Sequence, residues 1–148
     1  MAKKPGVANK LFLDAAYAIA LSSPADQFHA AAVVLAERLE NDRASLVTMP
    51  AVVLEIGNAL AKRQHRHAAA RLLASLLADT TVEIIPLTDQ LLVQAIELFS
   101  SRRDKEWGLT DCLSFVVMAE RGIDRALTTD THFQQAGFKI LMSNQTAE

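Results

Sequence analysis

The sequence predicts an α/β domain: a central parallel sheet of four to five strands with helices on both faces. Two observations predict it. Short apolar runs of strand length recur at 11–13, 45–48, 82–85, 125–128 and 138–141. Between them lie longer segments whose apolar residues fall at helical spacing. This alternation, with no internal repeat, low-complexity segment or linker, is the pattern of crossover units in one parallel sheet.

The elements follow in order. Residues 1–9 read as a tail, 10–142 as the domain and 143–148 as a second tail. Leu11-Phe12-Leu13 is a buried strand with Asp14 at its C-terminal end. Ala15 to Leu21 form a helix that Ser22-Ser23-Pro24 interrupts. Ser23 is placed to cap a second helix, with Pro24 at its first position and Phe28, Ala31, Ala32, Leu35 and Leu39 on one face. Polar residues 40–43 make a loop before the strand at Ser45 to Thr48. Pro50 opens a helix to about Gln64, with Val52, Val53, Ile56, Ala59 and Leu60 as its apolar positions. Glu55, Asn58 and Lys62 fall at i, i+3 and i+7 of that helix and share one narrow polar stripe. His65-Arg66-His67 is a junction to a helix from Ala68 to Ala78. Pro86 closes the strand at 82–85, and Thr88 caps a helix to about Ser101. A charged loop from Arg102 to Gly108 carries Trp107. Asp111 opens a helix that ends at Gly122. The strand at 125–128, a short helix at 131–136 and a strand at 138–141 complete the domain.

Composition narrows the function classes. The 148 residues suffice for one domain with a hydrophobic core, and 51% hydrophobic against 22% charged residues means a globular chain. A net charge of −2 carries no global polyanion signature, so any nucleic-acid contact must be local. Cys112 is the only cysteine, which excludes an internal disulfide and a cysteine-rich zinc site and fits a reducing cytoplasm. The apolar stretch at 11–21 follows Lys3, Lys4 and Lys10 like a signal peptide, but Asp14 interrupts it. No stretch reaches the roughly 18 apolar residues of a membrane span. Glycine loops that cradle phosphate, a Gly-x-Ser-x-Gly elbow and a dinucleotide fingerprint are all missing.

The acids carry the chemistry. Asp14 ends the first strand, Asp130 follows the strand at 125–128, Asp111 starts a helix, and Glu55 lies one turn into the helix after the second strand. A parallel sheet brings all four to its C-terminal edge, where open α/β sheets bind ligands. Each acid alone has an ordinary use. Asp111 can complement a helix dipole, Asp130 can be an N-cap, and Glu55 can face solvent. Asp14, inside an apolar run, is the hardest to explain that way. Four clustered carboxylates raise one another's pKa values unless a cation offsets them. Hard oxygen ligands select Mg²⁺ or Mn²⁺, and such an ion can polarise a phosphodiester and activate water.

Leu-Phe-Leu-Asp14, Glu55-Ile-Gly-Asn58-Ala-Leu, Leu-Thr110-Asp111-Cys-Leu-Ser-Phe and Ala-Leu-Thr128-Thr-Asp130-Thr-His-Phe together resemble the PIN domain. The resemblance runs from about Lys10 to Leu141, and its nearest type is the VapC-like toxin ribonuclease of toxin–antitoxin pairs. It implies a Mg²⁺- or Mn²⁺-dependent endoribonuclease, usually a homodimer, held inactive by a cognate antitoxin. It implies that Asp14, Glu55, Asp111 and Asp130 form the metal site and that Asn58, Thr110 and Thr128 support it. It also implies that the first strand lies near the sheet centre. One departure is Ala15, where many relatives carry Thr or Ser after the first Asp.

Other residues compete for roles. Cys112 reads as a small core residue, and His132 as a polar helix-start residue beside a core Phe133. Trp107 reads as a packing anchor, with base stacking at the cleft rim as the alternative, and Asp104 as an exposed loop residue near the site that could support it. The basic run Lys62-Arg63-Gln64-His65-Arg66-His67 is a solvated helix junction or a phosphate grip for RNA, and Lys62 lies on the Glu55 stripe. Ala-rich helices at 30–39 and 68–78 leave apolar surface for a homodimer. A non-catalytic binding module on this fold would not need all four acids. A phospho-acceptor receiver needs paired acids after the first strand and an acceptor Asp after the third, where this chain has Asp14 alone and Pro86.

Overall fold

The computed structural model describes residues 9–142, so the tails expected at 1–9 and 143–148 lie outside the described residues except for Asn9. Strand β1 (Lys10–Leu13) leads to helices α1 (Ala15–Ser22) and α2 (His29–Asn41). Strand β2 (Ser45–Thr48) leads to α3 (Pro50–Ala59) and α4 (Arg63–Ala78), and β3 (Val82–Ile84) to α5 (Asp89–Ser101) and α6 (Leu109–Arg121). Strand β4 (Arg125–Leu127), helix α7 (Thr131–Gln135) and strand β5 (Lys139–Ile140) close the chain.

The five strands form one sheet in the order β3-β2-β1-β4-β5, and every neighbouring pair is parallel. The chain winds outward from β1 through β2 to β3, then crosses back to place β4 on the other side of β1. Strand order therefore reverses between β1 and β4, which is where doubly wound sheets open a crevice at their carboxyl ends. Phe12 faces Val47 on one side and Ala126 on the other, and Leu13 pairs with Leu127. Leu11, Phe12 and Leu13 are all buried because helices cover both faces of the central strand.

Aromatic rings fasten α6 and α7 to β1. Phe115 of α6 meets Trp107 and Phe133 edge-on, each at 5.0 Å between centroids. Phe133 of α7 reaches Phe12 at 6.2 Å and is fully buried. Gly122 ends α6 in the left-handed region at φ 64°, the conformation for which glycine is the default. Thr88 caps α5 by accepting from the Leu91 amide at 3.1 Å.

Several boundaries differ from the sequence expectation: the strands expected at 82–85, 125–128 and 138–141 and the helix at 131–136 are shorter, and the larger differences have local causes. Ser23 and Pro24 start no helix. Ser23 instead closes α1 through its amide to the Ile19 carbonyl, and the Asp26 carboxylate takes the Phe28 amide at 2.8 Å in a local turn. Helix α2 then begins at His29. Helix α3 stops at Ala59 rather than near Gln64, because the chain turns at the buried Leu60 and Lys62 is extended. Arg66 reaches back to the Ala61 carbonyl across this break, at 3.0 Å. His65 to His67 therefore lie inside α4, and Lys62 is off the Glu55 stripe. Helix α6 begins two residues before Asp111, at Leu109.

Phe133→Ala should lower stability in urea denaturation by about 3–5 kcal/mol, the cost of a fully buried aromatic. A loss within the range of surface substitutions would mean that α7 is not anchored through this ring.

Candidate active site

Asp14 is the first residue beyond the central strand. Its amide donates to the Leu127 carbonyl at 3.4 Å, and its side chain is 8% exposed. Buried Thr128, just past β4, donates its hydroxyl to Asp14 Oδ2 at 2.7 Å and accepts from the Asp130 amide at 3.1 Å. One hydroxyl thus links the two acids across the sheet's switch point. Buried Thr48 donates to the Leu13 carbonyl at 2.9 Å from the other side of β1. The end of β1 is clamped between two threonines.

Asp130 caps α7 by accepting from the His132 amide at 2.8 Å. That ordinary use and its place in the cluster coexist. Asp111, in the first turn of α6, takes the Gly108 amide at 3.0 Å, half of a capping box. Nδ1 of His132 lies 3.2 Å from Asp111 Oδ2 and 3.4 Å from Asp130 Oδ1. Ligand atoms of Asp111, Asp130 and His132 all fall within 4.8 Å of one another, close enough to share a metal ion.

The electrostatics tie in Asp14 and Glu55. Burial, with smaller contributions from the charges of Asp111 and Asp130, lifts the Asp14 carboxyl from 3.8 to about 6 against the Thr128 hydrogen bond. Asp111 is raised chiefly by burial and then by Asp130, while the Gly108 amide and His132 pull it down. Glu55 presents an exposed residue surface, yet the protein packed around its carboxyl raises its pKa first, followed by the charges of Asp14 and Asp111. A hydrogen bond with Thr110 opposes that rise. Four acids from β1, α3, α6 and the β4–α7 turn therefore share one field. A divalent cation is the natural counter-charge for such a set, and the donor atoms, carboxylate oxygens with one imidazole nitrogen, fit it.

The structure brings together Asp14, Asp111, Asp130 and Thr128, with Glu55 and Thr110 in electrostatic contact. Asn58 is exposed one turn along α3 from Glu55, and Lys62, Arg63 and Arg66 are exposed at the α3–α4 break. Cys112 and Phe133 are core residues, as expected. Trp107 is the expected packing anchor, buried and donating its Nε1 to Gln135 at 3.0 Å. Asp104 is exposed and held by Arg102, whose hydrogen bonds push its pKa down to about 2. From sequence alone His132 reads as a polar helix-start residue; the structure sets its ring against Asp111 and Asp130. Its position directly after an N-cap acid was the available signal, since a first-turn side chain stands beside its cap.

Comparison with known proteins bears on the family and the fold. The sequence model of the PIN domain family matches residues 11–139. Curated relatives from two strains of Mycobacterium tuberculosis, each named "23S rRNA-specific endonuclease VapC20", are 30% identical over 128 residues, 86% of this chain and 95% of theirs. The crystal structure of Mycobacterium tuberculosis VapC20, described as a "Sarcin-Ricin loop cleaving toxin", superposes with a TM-score of 0.76 at 29% identity, covering 86% of this chain and 95% of that one.

The raised Asp14 pKa has a stability consequence with a definite sign. Native Asp14 holds its proton up to about pH 6 and the unfolded chain only to 3.8, so the native state binds more protons between them. Stability of the metal-free protein should fall as pH rises through this window. Asp14 should contribute about 3 kcal/mol to that fall, at roughly 1.4 kcal/mol per pKa unit. In EDTA, Asp14→Asn should lack this part of the slope in urea denaturation between pH 4 and 7. Parallel slopes for the two proteins would show that Asp14 ionises as freely as in the unfolded chain.

Proposed function

The chain belongs to the PIN domain family, and from that premise we propose that it is a divalent-metal-dependent endoribonuclease, the toxin of a toxin–antitoxin pair. The observation that carries this reading is the convergence of Asp14, Glu55, Asp111 and Asp130 on the switch point, each of the first three with its pKa lifted by burial first and by its acidic neighbours second. Mg²⁺ (or Mn²⁺) is the cofactor such oxygen-rich sites select. Asp14, Asp111, Asp130 and Glu55 would hold it. When bound, the ion supplies Lewis-acid polarisation of a phosphodiester and a water of lowered pKa.

The chain's own groups do the positioning. Thr128 fixes Asp14 and, through the Asp130 amide, the start of α7. Thr110 orients Glu55. His132 steadies Asp111 and Asp130 against each other, and Asn58 supports the site from the Glu55 helix. Lys62, Arg63 and Arg66, exposed at the α3–α4 break, attract RNA phosphates toward the acids. RNA is the substrate class, and ribosomal RNA is the first substrate to test, because the relatives are named for 23S rRNA. A cognate antitoxin restrains the enzyme in the cytoplasm. Val33 and Val34 of α2 and Leu77 of α4 are exposed, consistent with a homodimer. Among the described residues no helix is long and apolar enough to cross a membrane.

Mg²⁺ or Mn²⁺ should stabilise the fold by mass action, by about 2.7 kcal/mol at a hundredfold excess over Kd, and so raise the melting temperature, and Asp111→Asn should weaken the response. Glu55→Gln should keep the fold yet cut RNA at least about 100-fold more slowly in a gel assay with ribosomal RNA. A melting curve indifferent to both ions would remove the metal site, and wild-type cleavage by Glu55→Gln would return Glu55 to solvent duty.

A further inference from the structure

An acidic site repels RNA, and a chain of net charge −2 must grip phosphates locally. A cationic feature outside the acid cluster is a cavity of about 380 Å³ between the end of α5 and the start of α6. Phe99, Arg102, Arg103, Lys105 and Trp107 line it, and Cys112 contributes to its wall. Cys112 follows Asp111 directly, so the cavity and the acids share the first turn of α6. Three cations line the cavity and no acid does, because neither Asp104 nor Glu106 faces it.

The lining divides into fixed and free groups. Arg102 is committed, with two hydrogen bonds of 3.0 Å to Asp104 and its guanidinium 5.0 Å from the Trp107 ring centre. Trp107 is buried against Phe115. These two form a rigid wall. Arg103 is exposed, and among the described residues it takes part in no ion pair. Lys105 touches only the edge of Asp104, at 3.8 Å. Phe99, also in the lining, is 51% exposed. Unspent cations beside an open aromatic ring are the elements of a single-strand binding site, in which bases stack and phosphates pair.

We propose that this cavity is an RNA subsite flanking the cleavage centre, where Phe99 stacks a base and Arg103 and Lys105 hold the neighbouring phosphates. It rests on the ribonuclease reading and names where that site takes hold of its substrate. The competing occupant is a second copy of the chain, because Phe99 also continues an exposed row with Val93 and Ile96 on α5.

The test is fluorescence anisotropy of a labelled single-stranded RNA with the full chain, all variants in a Glu55→Gln background with Mg²⁺, over a salt series. Replacing Arg103 and Lys105 together with Ala should flatten the log–log salt slope by about 1.4, at roughly 0.7 per lost phosphate contact. Phe99→Ala should weaken binding at least about fivefold at every salt concentration with the slope unchanged, and Phe99→Tyr should restore it. With Glu55 restored, the same substitutions should leave the Mg²⁺-induced rise in melting temperature at its wild-type value, since none of them touches the four site carboxylates. Unchanged slope and affinity in the variants, while the parent binds RNA and the wild type cuts it, would overturn the subsite alone. Phe99→Ala that halves the mass in light scattering and leaves RNA affinity intact would assign the face to a second copy and overturn it too. A wild type that neither binds nor cuts RNA would take down the ribonuclease reading and the subsite with it.

Discussion

The hydroxyl of Thr128 meets the carboxylate of Asp14 at 2.7 Å in the middle of the molecule, and the site depends on that contact. A carboxylate at 8% exposure has lost most of its water, so its charge is tolerable only with a donor in place. The donor comes from the neighbouring strand, and it can be there only because β4 pairs with β1 in parallel, with Leu13 opposite Leu127. A register slip of one residue would turn Thr128 to the other face of the sheet. Sheet register and site geometry are thus one constraint. The same hydroxyl accepts from the Asp130 amide, so it also sets where α7 begins.

Thr128 offsets only part of the electrostatic strain. Burial and like charges still hold Asp14, Glu55 and Asp111 above their ordinary pKa values. The fold answers this by rigidity rather than by neutralisation. Thr48 clamps β1 from the other side, Gly108 and His132 hold Asp111, and a chain of ring contacts ties α6 through Phe133 of α7 to β1. Such a preorganised, under-compensated cluster is poor for stability and well suited to capturing a cation, which is why the metal-dependent reading follows from the energetics as well as from kinship.

Much of this was legible in the sequence because it depends on order and on periods. Alternating strand and helix patterns fix a parallel sheet, and a parallel sheet sends every strand end to one edge. Asp14, Asp111 and Asp130 could therefore be gathered before any distance was known. The features that escaped are set by local competition. Asp26 captures the Phe28 amide and delays α2, although Ser23-Pro24 has the composition of a helix start. Leu60 turns into the core and ends α3 early, although 61–64 would continue a helical pattern. His132 joins the acids through the rotation of one short helix about its Asp130 cap. Pattern reasoning ranks such alternatives poorly because each differs from its rival by a hydrogen bond or one buried side chain.

The early end of α3 changes the charge layout in a useful way. On a continuous helix, Lys62 would share the stripe of Glu55 and stand as a direct counter-charge to the acids. The break at 60–62 instead moves Lys62, Arg63 and Arg66 to the start of α4, exposed and beyond the carboxylates. On the other side, Arg103 and Lys105 sit in the loop that leads into Asp111, again next to the acids in sequence and not among them. Cations inside the cluster would neutralise it and compete with a bound ion. Cations set outside it leave the carboxylates their field and still lower the potential along the path of a polyanion. On the proposed reading, cations kept outside the acid cluster would let one small, nearly neutral domain attract both a metal ion and RNA.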